Sequence, residues 1–430
     1  MTVLLLLSLA LQSQSDSVQI AQLLDEARNT VNAINAIEKY ERCIDMADRA
    51  RLKYLKSTCK LEVAPLYISN SQSDKGLLTY FQLVNSLTEQ RRFQELFTTY
   101  TALSTYYASR QMPKSAADYL KDALRLSDSV SLNADKPVLL YEIGKLELEA
   151  LELDLALEYL DKADGIASQE SRKNLLLKIL RLKAKTYETL NRLDEAVREN
   201  ERILELLEDS GDRVNYTNQL NNLGFIEQRR GNTSKALDYF LQTLEEREEM
   251  GLKDEEHIPL LMNVAITYQN SKESKAYLNR ALQAAKKSKN TALQAEILDL
   301  LSVAYLNEDD FYNAQIYNQS GLELMDGSMP EVEMELNLTA SVVYEKLLEY
   351  ETALEYYKAY LEIKDSLDVA KRLSQEELAQ QQLYLQRTEK QIQEVVDKGE
   401  IKDYQLQQLK LESENKDIQL KNQQLDAKQK

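Results

Sequence analysis

Glycine and proline are scarce in this sequence. Its 430 residues include 10 glycines and 5 prolines, about 3.5% together, against roughly 12% in an average protein. Sandwiches, barrels and glycine-rich nucleotide loops all need many tight turns, so this shortage argues against them. Because hydrophobic residues make up 43% of the chain, a helical fold can still bury a sizeable core.

Histidine, cysteine and tryptophan are also nearly absent, with 1, 2 and 0 residues respectively. These low counts argue strongly against Cys/His zinc sites and Ser-His-Asp catalytic machinery. The 71 acidic residues offer so many carboxylate pairs that choosing one as catalytic would be arbitrary. We therefore predict that the protein is not an enzyme and has no catalytic residue, metal site or cofactor.

The net charge is strongly negative, −18 at pH 7. Nucleic acid and anionic membrane surfaces would be repelled by it, so we predict no nucleic-acid partner. The one histidine, His257, follows three acidic residues and lies just before Pro259, where a helix should start. We interpret it as a solvated loop residue; a pH-sensitive contact with the carboxylates is the alternative.

An apolar run occupies residues 3–11 and is followed by an abruptly polar stretch. The run is too short to span a bilayer, which needs about 20 residues, but it has the length of a signal-peptide core. With Ser13 and Ser15 as small residues for cleavage, we predict a signal peptide over residues 1–15 and an exported, periplasmic or cell-envelope protein. Because no Lys or Arg precedes the run, the alternative is a buried first helix in a cytoplasmic protein.

A repeat of about 40 residues runs along the chain. Small residues recur at spacings of 38–40, each with another contact residue four positions later. They are Ala36, Gly76, Ala116, Ala156, Ala196, Ala236, Ser274, Ala314 and Ala353. A second small residue lies twelve positions before most of them, as at Ala64 and Gly224. The pattern predicts about nine hairpins of antiparallel helices that cross closely at the small residues.

Two stretches carry a family resemblance. Residues 221–240 contain Asn-Asn-Leu-Gly-Phe and Lys-Ala-Leu-Asp-Tyr-Phe, and residues 353–357 read Ala-Leu-Glu-Tyr-Tyr. These motifs resemble the tetratricopeptide-repeat family, and the 40-residue period resembles its longer-helix variants in peptide-reading regulators. The resemblance implies an all-α, right-handed superhelical solenoid, whose first helices line a concave groove for a protein or peptide ligand.

Four residues on the predicted first helices match groove positions of tetratricopeptide domains that hold a peptide's C-terminal carboxylate. They are Arg181, Lys185, Asn222 and Asn263. Asn can both donate to and accept from an extended backbone, and Arg or Lys pairs with a carboxylate. The match is partial, because Lys185 stands where that pattern has Asn. The alternative is that the asparagines satisfy local backbone groups and the basic residues face solvent.

Cys43 and Cys59 lie on either side of a turn predicted near Arg51. Positions equidistant from a turn can face each other on antiparallel helices, so a disulfide is feasible in an exported protein. Two small buried hydrophobic residues are the alternative.

Turn signals nearly vanish after Tyr360, and apolar residues then keep a seven-residue step that Gly399 interrupts. They are Leu378, Leu385, Ile392 and Leu406. This seam predicts a long helix that forms a coiled coil and a homodimer; a solvated single helix is the alternative. The predicted divisions are a signal peptide (1–15), a tetratricopeptide-like solenoid (16–372) and the long helix (373–430).

The order of these parts resembles the extracytoplasmic sensor region of tetratricopeptide signalling proteins of the Bacteroidota, of the histidine-kinase or DNA-binding type. Their membrane span and output module do not occur in this sequence, so we expect membrane attachment only if the chain continues past Lys430. The resemblance implies a non-enzymatic protein- or peptide-binding scaffold that is the sensor part of a bacterial signal-transduction protein. The alternative is a soluble cytoplasmic adaptor or regulator subunit that assembles partner proteins.

Overall fold

The computed structural model describes residues 16–132, 134–268 and 271–397. These residues form eighteen α-helices and one short 3₁₀ helix, with no strand among them, and the predicted all-α fold is confirmed. The predicted signal peptide and residues 398–430, with Leu406 and Gly399, lie outside the described residues.

Within the described residues, eight odd-numbered helices each form a hairpin with the even-numbered helix that follows; the seventh and eighth helices belong to different compact units. We call the odd-numbered helices first helices and the even-numbered ones second helices. The first begins the described chain: α1 covers residues 16–28. The others are α2 (Ala33–Arg49), α3 (Lys53–Ser69), α4 (Ser73–Glu89), α5 (Phe93–Ser109), α6 (Pro113–Val130), α7 (Lys136–Glu149), α8 (Leu153–Gln169), α9 (Lys173–Thr189), α10 (Leu193–Ser210), α11 (Arg213–Arg229), α12 (Thr233–Glu249), α13 (Ile258–Thr267), α14 (Ser271–Lys287), α15 (Thr291–Leu306), α16 (Phe311–Leu322), α17 (Pro330–Lys346) and α18 (Tyr350–Asp397), with the 3₁₀ helix Asp254–Glu256 before α13.

The repeat length comes from turns spaced 20 residues apart. Residues in the left-handed conformation follow the helices at Arg51, Ser71, Arg91, Gln111, Ser131, Leu151, Ser171, Asn191, Gly211, Gly231 and Gly251. The residue after such a turn donates its backbone N–H to a carbonyl five residues earlier, as Leu52 does to Ala47 at 2.8 Å. This is the Schellman ending of a helix. Two helices with two such turns make one 40-residue repeat.

The small residues of the repeat lie at the helix crossings, as predicted. A Cβ placed on Gly76 of α4 would be 3.1 Å from the carbonyl oxygen of Ala64 on α3. A Cβ on Gly224 of α11 would be 2.5 Å from the ring of Phe240 on α12. These positions exclude larger side chains because the helix backbones approach closely there.

Stacked tyrosines pack three residues beyond the small residues, one ring from each helix of a hairpin. Their ring centroids lie 5.2–5.6 Å apart. The pairs are Tyr107–Tyr119, Tyr268–Tyr277, Tyr305–Tyr317 and Tyr344–Tyr356. Each pair ties the end of a first helix to the start of the second helix.

The chain divides into two compact units. Unit 1 holds the described residues up to Glu152 together with those from Ala379 onward, and unit 2 is Leu153–Leu378. The boundary predicted at residues 372 and 373 lies inside α18, a helix of 48 residues. None of the described helices combines the length and apolarity needed to cross a membrane.

Cys43 on α2 and Cys59 on α3 are both fully buried in a core that α1, α2 and α3 share. Their Sγ atoms are 1.98 Å apart, within bonding distance, and their Cα atoms are 6.3 Å apart. The two cysteines are therefore buried, as the alternative interpretation expects, and they are also paired with each other.

Candidate functional site

The first helices of unit 2 carry exposed side chains at repeated positions. α9, α11, α13, α15 and α17 follow one another in the stack, with α13 in contact with α15 and α15 in contact with α17. On α9 the exposed stripe is basic and consists of Lys178, Arg181 and Lys185, which recur at the three- and four-residue spacing of one helix face.

Apolar side chains continue the series on the other four first helices. Phe225, Ile266, Val303 and Val342 each follow the small residue of their helix by one position, and each is 36–52% exposed. We call these four residues the apolar row. Single exposed apolar residues are ordinary on a protein surface, but four at the same repeat position of successive first helices repeat regularly and are candidates for binding.

Acidic residues lie on the last two helices of the series. Asp299 and Glu296 on α15 are half-buried, and Glu335 on α17 is exposed. Burial and the nearby Glu335 raise the pKa of Asp299 to about 6. The surface therefore changes along the stack from basic on α9, through the apolar row, to acidic on α15 and α17.

The structure places all four predicted groove residues on first helices of unit 2. Arg181 and Lys185 are exposed on α9, Asn222 is exposed on α11 and Asn263 is half-buried on α13. The Arg181 guanidinium donates to Oδ1 of Asn215 on α11 at 3.3 Å. No hydrogen bond joins the four to one another among the described residues, so their grouping as a carboxylate site stays a prediction.

The interpretation of His257 as a solvated loop residue is wrong. Its side chain is fully buried, because the 3₁₀ helix Asp254–Glu256 packs against α13 and α14 and encloses it. Burial lowers the pKa of His257 and so favours the neutral imidazole, and Nε2 lies 3.4 Å from Oδ1 of Asp254.

Asp254, Glu248 and His257 converge enough to offer three metal-ligand atoms within 4.8 Å of one another. Arg280, however, already donates to Oδ2 of Asp254 at 2.7 Å and to Oε1 of Glu248 at 2.6 Å. A bound cation would face this guanidinium at close range. We therefore interpret the cluster as an ion-pair network that fixes the turn before α13.

A buried ion network that the sequence did not predict lies beneath the basic stripe. Lys183 of α9 is 5% exposed, and its Nζ lies 2.9 Å from Asp161, Asp164 and Glu199. Burial alone would raise the pKa of Asp164, but hydrogen bonds from Arg202 and Lys183 lower this pKa to about 2. The network joins α8, α9 and α10 and so fixes how α9 presents its basic stripe.

The sequence signal for this network is a single substitution in the repeat. Lys183 directly precedes the small residue of its first helix, where the equivalent residues of neighbouring first helices are Ile143, Leu223 and Val264. A lysine in this core position requires carboxylate partners, and they come from the adjacent second helices.

Comparisons with known proteins identify the fold. A signal transduction ATPase with numerous domains from Pyrococcus horikoshii, with a tetratricopeptide repeat sensor, is 15% identical, with a TM-score of 0.51 over 83% of this chain and 54% of that chain. BtubC from P. vanneervenii is 18% identical, with a TM-score of 0.44 over 50% of this chain and 91% of that one. The apo form of the quorum sensor NprR from B. thuringiensis is 15% identical, with a TM-score of 0.44 over 80% and 99% of the two chains.

The chain thus has the fold of a tetratricopeptide-repeat solenoid, which confirms the predicted resemblance at the level of the fold. It spans about half the length of the P. horikoshii protein. No family model matches the sequence, and no curated protein sequence matches it.

Proposed function

We propose that the protein is a non-enzymatic scaffold that binds an extended peptide, or an extended segment of a partner protein, along the first helices of unit 2. The observation that carries this proposal is the apolar row, with one exposed apolar side chain at the same position of α11, α13, α15 and α17. A stacked solenoid offers such repeated positions as one long binding surface.

The charges along the surface give the proposed ligand a direction. Arg181 and Lys185 would receive its acidic end or a terminal carboxylate, and Asp299 and Glu335 would face its basic end. Asn222 and Asn263 lie between, where their amides would hydrogen-bond the ligand backbone. Apolar side chains of the ligand would pack on the apolar row, which supplies most of the buried apolar area.

We further propose that this scaffold is the sensor part of an exported bacterial signalling protein, with a signal peptide over residues 1–15. The support is the Cys43–Cys59 disulfide, because disulfides persist mainly outside the reducing cytoplasm. The mature N-terminus of the protein expressed with its native start tests this. Removal of roughly the first 15 residues supports export, and an intact Met1 in the cytosol favours the cytoplasmic adaptor.

Peptide selection on the full chain tests the binding proposal. A random peptide library displayed on phage is selected against the immobilised protein, and the affinity of one enriched peptide is measured by fluorescence anisotropy. We expect Ile266→Glu to weaken binding about tenfold or more, because burying an isoleucine contributes about 1.5–3 kcal/mol and about 1.4 kcal/mol is tenfold in affinity.

Ile316→Glu is the matched control. Ile316 lies on the second helix α16 of the same unit and is 42% exposed, against 52% for Ile266. We expect this variant to bind the peptide as the wild type does. Equal losses in the two variants, or a loss only in Ile316→Glu, would place the ligand elsewhere and contradict the proposal.

A further inference from the structure

The last described turns of α18 pack against the α5–α6 hairpin within unit 1. Nε2 of Gln382 donates to the backbone oxygen of Gln111, in the turn between α5 and α6, at 2.7 Å. The hydroxyl of Tyr119 on α6 donates to Oε1 of Glu389 at 3.2 Å. A segment far along the sequence therefore makes polar contacts with two different parts of this hairpin.

The contacting residues of α18 lie on one helix face. Thr388 and Ile392 are 7% and 3% exposed, and Leu385 is half-buried. Together with Gln382 and Glu389 they follow the three- and four-residue spacing of a single face. The face includes Leu385 and Ile392 of the seam that predicts a coiled coil, so the seam already has an intramolecular partner here.

The receiving surface is built around the stacked pair Tyr107–Tyr119. Burial, and next the negative charges near them, raise the pKa of both hydroxyls, so that they stay protonated and able to donate. Burial likewise raises the pKa of Glu389, whose neighbours on this surface are tyrosine hydroxyls rather than a basic side chain. Glu389 thus receives a hydrogen bond from Tyr119 but no opposite charge to offset its burial, which weakens the docked state relative to an ion-paired contact.

We propose that the α5–α6 surface is a helix-binding site and that residues 382–392 are its internal ligand. The partner that fits it is an amphipathic helix with the same order of groups: an amide, a carboxylate seven residues later and a branched apolar residue three residues after that. While the internal ligand is bound, such a partner helix has to displace it. The proposal concerns unit 1 and is independent of the peptide surface proposed for unit 2.

Hydrogen exchange of the full chain tests the internal contact. We expect Ile392→Asp to release the segment and to speed amide exchange of residues 382–392 roughly tenfold or more, because an undocked helix end opens easily. Leu383→Asp is the matched control, since Leu383 lies on the same segment but is 48% exposed. Exchange that is unchanged in Ile392→Asp, or equally fast in both variants, would overturn the proposal.

A fluorescein-labelled peptide of residues 379–397 tests the site itself. We expect it to bind full-chain Ile392→Asp roughly tenfold more tightly than wild type, because the internal ligand competes at a high effective concentration. Tyr119→Phe combined with Ile392→Asp should remove most of this gain. Equal affinity for wild type and Ile392→Asp would contradict an occupied, exchangeable site, and Ile266→Glu should leave every one of these results unchanged.

Discussion

Gly224 shows how one absent methyl group sets the distance between two helices. It lies on α11 against the ring of Phe240, which is itself fully buried. The ring also meets Phe225 edge-on, with centroids 5.3 Å apart. The close approach at Gly224 therefore determines where Phe225, the first residue of the apolar row, stands on the surface.

We expect Gly224→Ala to lower the free energy of unfolding by about 1–3 kcal/mol, because the added Cβ overlaps the Phe240 ring. Gly165→Ala is the matched control, since a Cβ there has nothing within 4 Å. In α8 that change should instead raise the free energy by about 0.5–1 kcal/mol through helix propensity. Urea denaturation measures the free energy of unfolding of both variants. If Gly165→Ala also lowered it, the loss in Gly224→Ala could not be assigned to overlap with the Phe240 ring.

Asp299 gives the acidic end of the surface a pH dependence. Its pKa in the folded protein is about 6, above the ordinary value of 3.8. The folded state therefore holds the proton more tightly than the unfolded state, and this stabilisation is present at low pH and is lost as pH rises through 6.

We expect Asp299→Asn to raise the free energy of unfolding at pH 7 by about 1–2 kcal/mol, a value reduced from the full shift because the side chain is partly exposed. The difference from wild type should shrink towards zero below about pH 4. Urea denaturation between pH 4 and 8 checks this, with the exposed Asp238→Asn as control. A gain that stays constant with pH would rule out burial of the charge as its cause.

Residues whose roles depend on partners from other helices were the ones that sequence reasoning missed. Lys183 pairs with carboxylates on α8 and α10. His257 is enclosed because the 3₁₀ helix before it packs against α13 and α14. The apolar row was missed for a related reason. From the sequence, an apolar residue beside a small core residue is assigned to the core, and only the packing shows that Ile266 is exposed.

At the scale of elements, many turns place residues other than glycine in the left-handed backbone conformation, which their sequence does not suggest. Eleven turn residues with positive φ other than glycine occur among the described residues, and Leu151 is one of them. Its side chain is 74% exposed. A left-handed conformation costs a residue with a side chain about 1–2 kcal/mol.

We expect Leu151→Gly to raise the free energy of unfolding by about 0.5–1 kcal/mol, because glycine adopts this conformation without strain but loses more chain entropy. Leu155→Gly, at a half-exposed position inside α8, should lower it by about 1 kcal/mol. Thermal and urea denaturation of both variants measure the contrast. The same sign of change in both would mean that the turn conformation carries no measurable strain.

The hairpins were predictable because one 40-residue period fixes both helices and their crossings. Small residues such as Ala36 and Ala116 mark the second helices, and Tyr107 marks the stacked pair. The course of α18 was not predictable in this way. Its seam predicts a helical partner, but the sequence does not say whether that partner is a second copy or, as for Ile392, a hairpin of the same chain.

At the scale of the whole molecule, the two units carry different surfaces. Unit 2 presents a graded series from Arg181 and Lys185 through the apolar row to Glu335, and unit 1 holds the end of α18 against its third hairpin. Of the unit 2 surface, the sequence predicted Arg181, Lys185, Asn222 and Asn263 through a family resemblance. It did not predict the apolar row, on which the proposed function now depends.

The most direct test of that function is a photo-crosslink from the surface to a bound peptide. Benzoylphenylalanine replaces Ile266 in one full-length variant and Ile316 in another, and each is irradiated with the peptide enriched by selection. We expect position 266 to crosslink to the peptide and position 316 not to. Crosslinks at position 316 with none at 266 would contradict the proposed function.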